Sequence, residues 1–369
     1  MGSDFKARRG LRAFVAVTVI SIGLGGTFAG VANAAPPSNI TRAQRGAQWL
    51  ANQIKANHGF VKSFGAADNS STAYAVIGMR AAGVDKGASD MAINYLKTKI
   101  GTQIQLGGTD SPGALAEYIM AAVADSTDPR HFGGTGAQNN LVSRLIATQR
   151  TSGRDAGLFG AQDPTFDGAF RQGLALAALK AANASSTNGH VVAGINWLKK
   201  QQCANGLWTA YRPNTTTACP AANPNSFTGP DTNSTGLAVQ GLAAWGQRPR
   251  QAAALQSLDN VQSANGGFPF IAAPNQTADP NSTALVIQAI LAEGGTPSGT
   301  RWVKGTSTPF TALGSYQLGC AQAGYGAFFF PPSTSPNTFA TVQAVPAMAS
   351  KTLPVAASTA SVIVPLTPC

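Results

Sequence analysis

The sequence is short of charge before anything else. Charged residues make up 11 % of the 369 positions, against roughly a quarter in an ordinary soluble domain. Solubility therefore falls to Asn, Gln, Ser and Thr. Asp and Glu together number 15 and His only 3, which leaves little material for paired carboxylates or histidine metal sites. His58, His131 and His190 each stand beside Gly or Pro in loop-like surroundings, with no Asp or Cys at metal-ligand spacing. The 26 bases are scattered rather than clustered, which argues against nucleic acid as a partner. No apolar run beyond Val31 is long enough to span a bilayer.

The first 34 residues carry the three parts of an export signal: a basic head (Lys6, Arg8, Arg9, Arg12), an apolar stretch, and the small-residue site Ala32-Asn33-Ala34. Cleavage there is expected to start the mature chain at Ala35 and place it outside the cell or in the cell envelope. Arg8-Arg9 is compatible with the twin-arginine route. Removal takes four bases and one acid and leaves a net charge of +8 on 335 residues. The expected domain plan is a signal at 1–34, one domain over 35–350 and a tail at 351–369. Four cysteines in an exported chain read as two disulfides, with three possible connectivities. Cys203–Cys219 is favoured, because it pins one Asn/Thr-rich loop and is worth roughly 3 kcal/mol in the loop-entropy model. Cys320–Cys369 would then tie the C-terminus to the last repeat.

What the sequence has in abundance is an internal repeat. An amphipathic helix ends in Gln and is followed by Gly and an aromatic in GINWLKKQQCANGLW (Gly194–Trp208). The same order recurs in Ala47–Phe60, Leu141–Phe159 and Leu255–Phe268, and in degraded form in Gly314–Phe328. A polar loop and a helix of small apolar residues follow each time, starting near Ser71, Asp167, Ser234, Ser282 and Asn337. The helices from Met91 and Ser111 form a divergent sixth unit. Thr72, Asp110, Asp167, Thr235, Thr283 and Thr338 mark the second-helix starts as candidate caps. Those helices are apolar nearly all round, as buried helices are, while the first helices keep one polar face. The expected fold is all-α: an α/α toroid of about six helix–loop–helix units, with an inner and an outer ring.

Gly194–Trp208 resembles the QW motif of the terpenoid-cyclase and protein-prenyltransferase superfamily, and the six-unit pattern covers nearly all of the chain from Ala43 to Ser350. The resemblance implies the toroid fold. Activity has to be checked residue by residue. Class II cyclases such as squalene–hopene cyclase protonate a polyene from D-x-D-D-T-A, and the matching stretch here is Asp231-Thr232-Asn233-Ser234-Thr235-Gly236. Asn233 replaces the proton donor, and an amide cannot act as a strong general acid. The Asp, Cys and His that hold zinc in prenyltransferases have no counterparts. The Cys-Gly-Glu-Gln of thioester proteins does not occur, and residues 351–369 are expected to be too few for the C-terminal β domain of cobalamin carriers. The resemblance thus points to a secreted member without the catalytic acid motif, and no metal or cofactor is expected.

The Gly-x-aromatic ends and following loops supply Phe60, Phe159, Phe166, Trp208, Tyr211, Phe227, Phe268, Phe270, Tyr325 and Phe328. Gln172, Gln240, Gln288 and Gln343 recur five residues after the aligned helix starts. They either bridge adjacent units or form a polar ring in the bore. The reading that follows is a monomeric, non-catalytic toroid that binds a small lipophilic or mixed-polarity ligand or a cell-surface component. Its site would lie at the rim of inner-helix N-termini, around Trp208, Tyr211, Phe227, Asp231, Asn233, Gln240, Phe268 and Phe270. The alternative is an enzyme, a divergent cyclase or prenyltransferase or a polysaccharide-cleaving toroid. Asp167, Asp231 and Asp279 would gather at one rim in that case, although capping also explains them.

Overall fold

The computed structural model describes residues 37–101, 104–106, 108–160 and 168–369. The expected signal at 1–34, with its cleavage site, and the residues Phe166 and Asp167 lie outside the described residues. Residues 37–369 form one compact unit. Among the described residues there are twelve α-helices in alternating roles. The first of each pair are α1 (Asn39–Ala56), α3 (Lys86–Lys97), α5 (Leu141–Ala147), α7 (Gly189–Gln201), α9 (Gln251–Val261) and α11 (Pro309–Ser315). The second are α2 (Asn69–Ala82), α4 (Pro112–Ala124), α6 (Ala169–Ala181), α8 (Thr232–Ala243), α10 (Pro280–Ala292) and α12 (Thr338–Met348). Three two-stranded hairpins link pairs: β1–β2 (Val61–Ser63, Ala66–Asp68), β3–β4 (Gln105–Leu106, Thr109–Asp110) and β5–β6 (Trp208–Thr209, Pro230–Asp231).

The even-numbered helices form a closed inner ring. Each packs against two others in the order α2, α4, α6, α8, α10, α12, and α12 returns to α2. The chain is an α/α toroid, not an open solenoid. Inner α2 is buried from Ser71 to Ala82 without a break, whereas outer α1 buries Ala43, Ala47, Leu50, Ala51 and Ile54 along one stripe. Small residues set the ring's diameter. A Cβ added to Gly173 in α6 would stand 2.2 Å from the Leu237 carbonyl oxygen in α8. The two backbones touch there.

The repeat is bolted by two hydrogen-bond devices. The inner-helix caps are Asp68, Ser111, Asp231, Asp279 and Asn337, each accepting from the N–H three residues on. Asn337 therefore stands in place of the expected Thr338, and Ser111 caps in place of Asp110, which pairs with Arg144. Thr72, Thr235 and Thr283 fall within the first turn rather than at the cap. Their hydroxyls accept instead from the loops that follow the outer helices, through Val61 N, Trp208 N and Phe268 N. Thr341 takes Phe328 N in the last unit, and in the third Gln172 Oε1 takes Phe159 N. The second device is the Gln that ends or follows the outer helix. Gln149, Gln202, Gln262 and Gln317 each donate to the carbonyl of a glycine in their own unit and to a carbonyl of the next. Gln317 reaches Arg42 O at 2.8 Å and so joins the last unit to the first.

The disulfides are Cys203–Cys219 and Cys320–Cys369. The second anchors a tail that runs across the C-terminal ends of the inner helices. Lys351 O accepts from Gln288, Leu353 N donates to Gln240 Oε1, and Ser358 N donates to Ala124 O. Arg80 donates to Ser358 O and Ala360 O, and Val362 N donates to Gly83 O. Leu353 and Val355 enter the core. The toroid is thus covered at this end, and access to its interior is from the other. Among the described residues no helix is long and apolar enough to cross a membrane.

Candidate functional site

The inner-helix N-termini surround a cavity of about 940 Å³. Its walls come from the β1–β2 hairpin (Phe64), the start of α6 (Phe170), the loops before α8 and α10 (Phe227, Phe270), and the approach to and start of α12 (Phe330, Phe339). Five of these rings are exposed, Phe64 and Phe227 most fully, an arrangement that loses free energy in water unless something covers it. Phe227 and Phe270 lie 6.4 Å apart between ring centroids. Polar groups are interleaved: Gln53, Asn233, Asp279, Asn281 and Gln343. Asn281 donates to Gln343 Oε1 at 2.7 Å, while among the described residues Asn233 Oδ1 and Asn281 Oδ1 have no partner.

A smaller recess of about 210 Å³ opens deeper, sharing Phe170, Phe339 and Gln343 with the cavity. Glu117 of α4, Tyr74 of α2 and Arg171 of α6 line it. Burial pushes the Glu117 carboxyl up to about 7, against the smaller lowering effects of a Ser70 hydrogen bond and the Arg171 charge. Burial, and then the Glu117 charge, raise the Tyr74 phenol above its ordinary range.

The structure separates the expected site residues. Phe227, Phe270 and Asn233 line the cavity together. Asp231 lies next to it but is 4 % exposed, capping α8 through Ser234 N at 2.6 Å; burial raises its carboxyl to about 6. Four others lie elsewhere. Trp208 is buried, its indole N–H donating to Leu198 O. Phe268 is buried against Trp302. Tyr211 stacks on Trp197 and donates to Asp155. Gln240 holds the tail at the opposite end. The aromatic directly after the Gly-x motif packs inward in Trp208, Phe268 and Phe328. In the fifth unit the next one along, Phe270, reaches the mouth, whereas Tyr211 in the fourth does not. Nor do the inner glutamines form one ring: Gln172 bonds the loop to the helix and reaches Gly194 O of the next unit, Gln240 and Gln288 hold the tail, and Gln343 faces the cavity and accepts from Asn281 of the preceding unit.

Sequence reasoning missed Glu117, Tyr74 and Arg171. A signal for the first was present: Glu117 is the one charged residue in Pro112–Ala124, an otherwise apolar buried helix.

The fold defines the class of protein. No protein-family model matches this chain, and no curated protein matches it in sequence. Solved structures do match over most of its length. A protein from Actinoplanes is 18 % identical with a TM-score of 0.56, covering 85 % of this chain and 99 % of that one. The unsaturated glucuronyl hydrolase of Bacillus sp. GL1 is 11 % identical with a TM-score of 0.59, over 84 % and 96 % of the two chains. A type II terpene cyclase from Scytonema is 14 % identical with a TM-score of 0.51, over 84 % and 98 %. These likenesses show the α/α-toroid fold.

Proposed function

We propose that this chain is an exported toroid that takes an amphipathic small molecule end-on into the mouth formed by its inner-helix N-termini. The observation that carries the reading is the phenylalanine-lined cavity with unpartnered amide oxygens between the rings. Apolar faces with a few convergent polar groups are what small-molecule sites present. The tail across the far end supports a single entrance. Two disulfides are compatible with the extracellular or envelope location that the N-terminal sequence suggests, and with cleavage near Ala35. Mass spectrometry of an organic extract of the natively purified protein tests the reading. An amphipathic species is expected at near-stoichiometric yield, and it should be lost in the double variant Phe227→Ala/Phe270→Ala. An empty extract, together with no calorimetric binding of any long-chain alkyl compound, would overturn it.

A catalytic reading is favoured by one observation, the acid Glu117 facing the recess. It draws on the likeness to a terpene cyclase and to a glycosaminoglycan-degrading hydrolase. Turnover of a polyprenyl or unsaturated-uronide substrate that disappears in Glu117→Gln would establish it, and turnover unchanged by that variant would exclude this acid.

A further inference from the structure

The recess beneath the cavity has a chemistry of its own. Among the described residues, Glu117 Oε2 and Tyr74 Oη are enclosed yet have no hydrogen-bond partner, and Tyr74 is 6 % exposed. Enclosed polar atoms left unpaired cost on the order of 1–3 kcal/mol each, so two on facing inner helices mark a place where a third group completes the bonding. The recess can take a head of a few heavy atoms, and it opens into the cavity between Phe170 and Phe339. We infer that the recess binds the hydrogen-bond-acceptor oxygen of the ligand's head group, a carbonyl or carboxylate, with the Glu117 carboxylic acid and the Tyr74 hydroxyl as donors. This rests on the reading of the mouth as the entrance for an amphipathic ligand.

The choice of acceptor over donor follows from what surrounds the recess. Arg171, a donor-only group, lines it from α6. The N-terminal turns of α2 and α4 contribute Ser70, Ser71 and Ser111 to its wall, where helix ends favour negative charge. The oxygens of Asp68 are engaged by Ser71 N and Ser71 Oγ at 2.9 and 2.7 Å. Tyr118, the next residue along α4, adds no charge at neutral pH, and α12 contributes only Phe339, Val342 and Gln343. Glu117 is the group that titrates near neutrality. Its carboxyl, raised to about 7 by burial, is still largely protonated at pH 6 and can donate. Above pH 8 it is ionised and repels an acceptor.

Four probes of similar chain length separate the possibilities by calorimetry: 2-tridecanone, dodecanoate, dodecylammonium and dodecane. At pH 6 the ketone and the carboxylate are expected to bind about tenfold more tightly than dodecane, as one or two net hydrogen bonds imply. Dodecylammonium should bind more weakly than either. Preference for the carboxylate over the ketone would assign an anionic head, and the reverse order a neutral one. Ketone affinity should fall as pH rises to 8.5. Glu117→Gln, which keeps an N–H donor at every pH, should remove that fall while holding the pH 6 affinity within about threefold. Tyr74→Phe, a near-isosteric change that keeps the fold testable, should cost the ketone but not dodecane. Tightest binding by dodecylammonium, or a pH dependence that survives Glu117→Gln, would overturn the assignment. If dodecane binds as well as the ketone, the recess assignment falls while the reading of the mouth stands. If no probe binds, the mouth reading falls as well.

Discussion

Asp231 shows how a single side chain at this rim can be structural and still titrate. It caps α8 through Ser234 N, and burial raises its carboxyl to about 6. A carboxyl whose folded pKa lies above its unfolded one makes no difference below the unfolded value, near 4. It costs stability as pH climbs through the interval up to the folded pKa. Relative to Asp231→Asn, the native protein should therefore lose about 2 kcal/mol of unfolding free energy between pH 4 and pH 7. Chemical denaturation at the two pH values checks this, and a gain over the same interval would contradict it. Trp208 belongs to the same scale. It is 1 % exposed and bonded to Leu198 O, so Trp208→Ala should cost about 3–5 kcal/mol with ligand affinity unchanged in the molecules that remain folded. Both residues were conspicuous in the sequence, Asp231 by its motif and Trp208 by its place after Gly-x. Their roles were less so, because an aromatic two residues past a glycine looks the same whether it faces the core or the mouth. The hairpin β5–β6 decides it, pairing Trp208 with Asp231 and turning the indole inward.

Among the helices and loops, the repeat was legible almost in full. Small apolar helices alternating with amphipathic ones fix inner and outer positions, because only the former can be surrounded by protein on all sides. The bolts were less visible. Four glutamines on the inner helices looked like the bridging set, and Gln172 and Gln343 do reach a neighbouring unit through Gly194 O and Asn281. The recurring bridges, however, are made by Gln149, Gln202, Gln262 and Gln317 at the outer-helix ends. Their two carbonyl acceptors lie in different units, a relation that no local spacing expresses. Gln262→Ala leaves Gly266 O and Trp302 O without this donor and is expected to lower stability by about 1–3 kcal/mol. Gln256, an exposed-helix neighbour whose bonds to Asn260 and Arg301 are both at the surface, serves as the control, and Gln256→Ala should change stability by less than about 0.5 kcal/mol. Gly173→Ala should be worse than either. Its added methyl meets the α8 backbone rather than a movable side chain, so the ring must widen or fail to close.

On the scale of the whole molecule, a closed ring with one covered end forms a cup. The far end is covered by a tail that touches α2, α4, α8 and α10 before its last residue bonds to Cys320. Nothing in the tail's composition announces this, since its bonds are made through backbone groups that every sequence possesses. The acid of the recess was hidden for a related reason. Glu117 is a lone carboxyl in one helix, and only the packing of neighbouring units sets it beside Tyr74 and Arg171 from the helices on either side. In the proposed function, ligands enter at the phenylalanine mouth and not over the tail or the outer helices. Photolabelling with an alkyl diazirine ketone, followed by peptide mapping, tests it most directly. Adducts are expected on peptides carrying Phe64, Phe227, Phe270 and Phe339, suppressed by excess unlabelled 2-tridecanone. Competable adducts on the tail at 351–369, or on the outer helices alone, would contradict it.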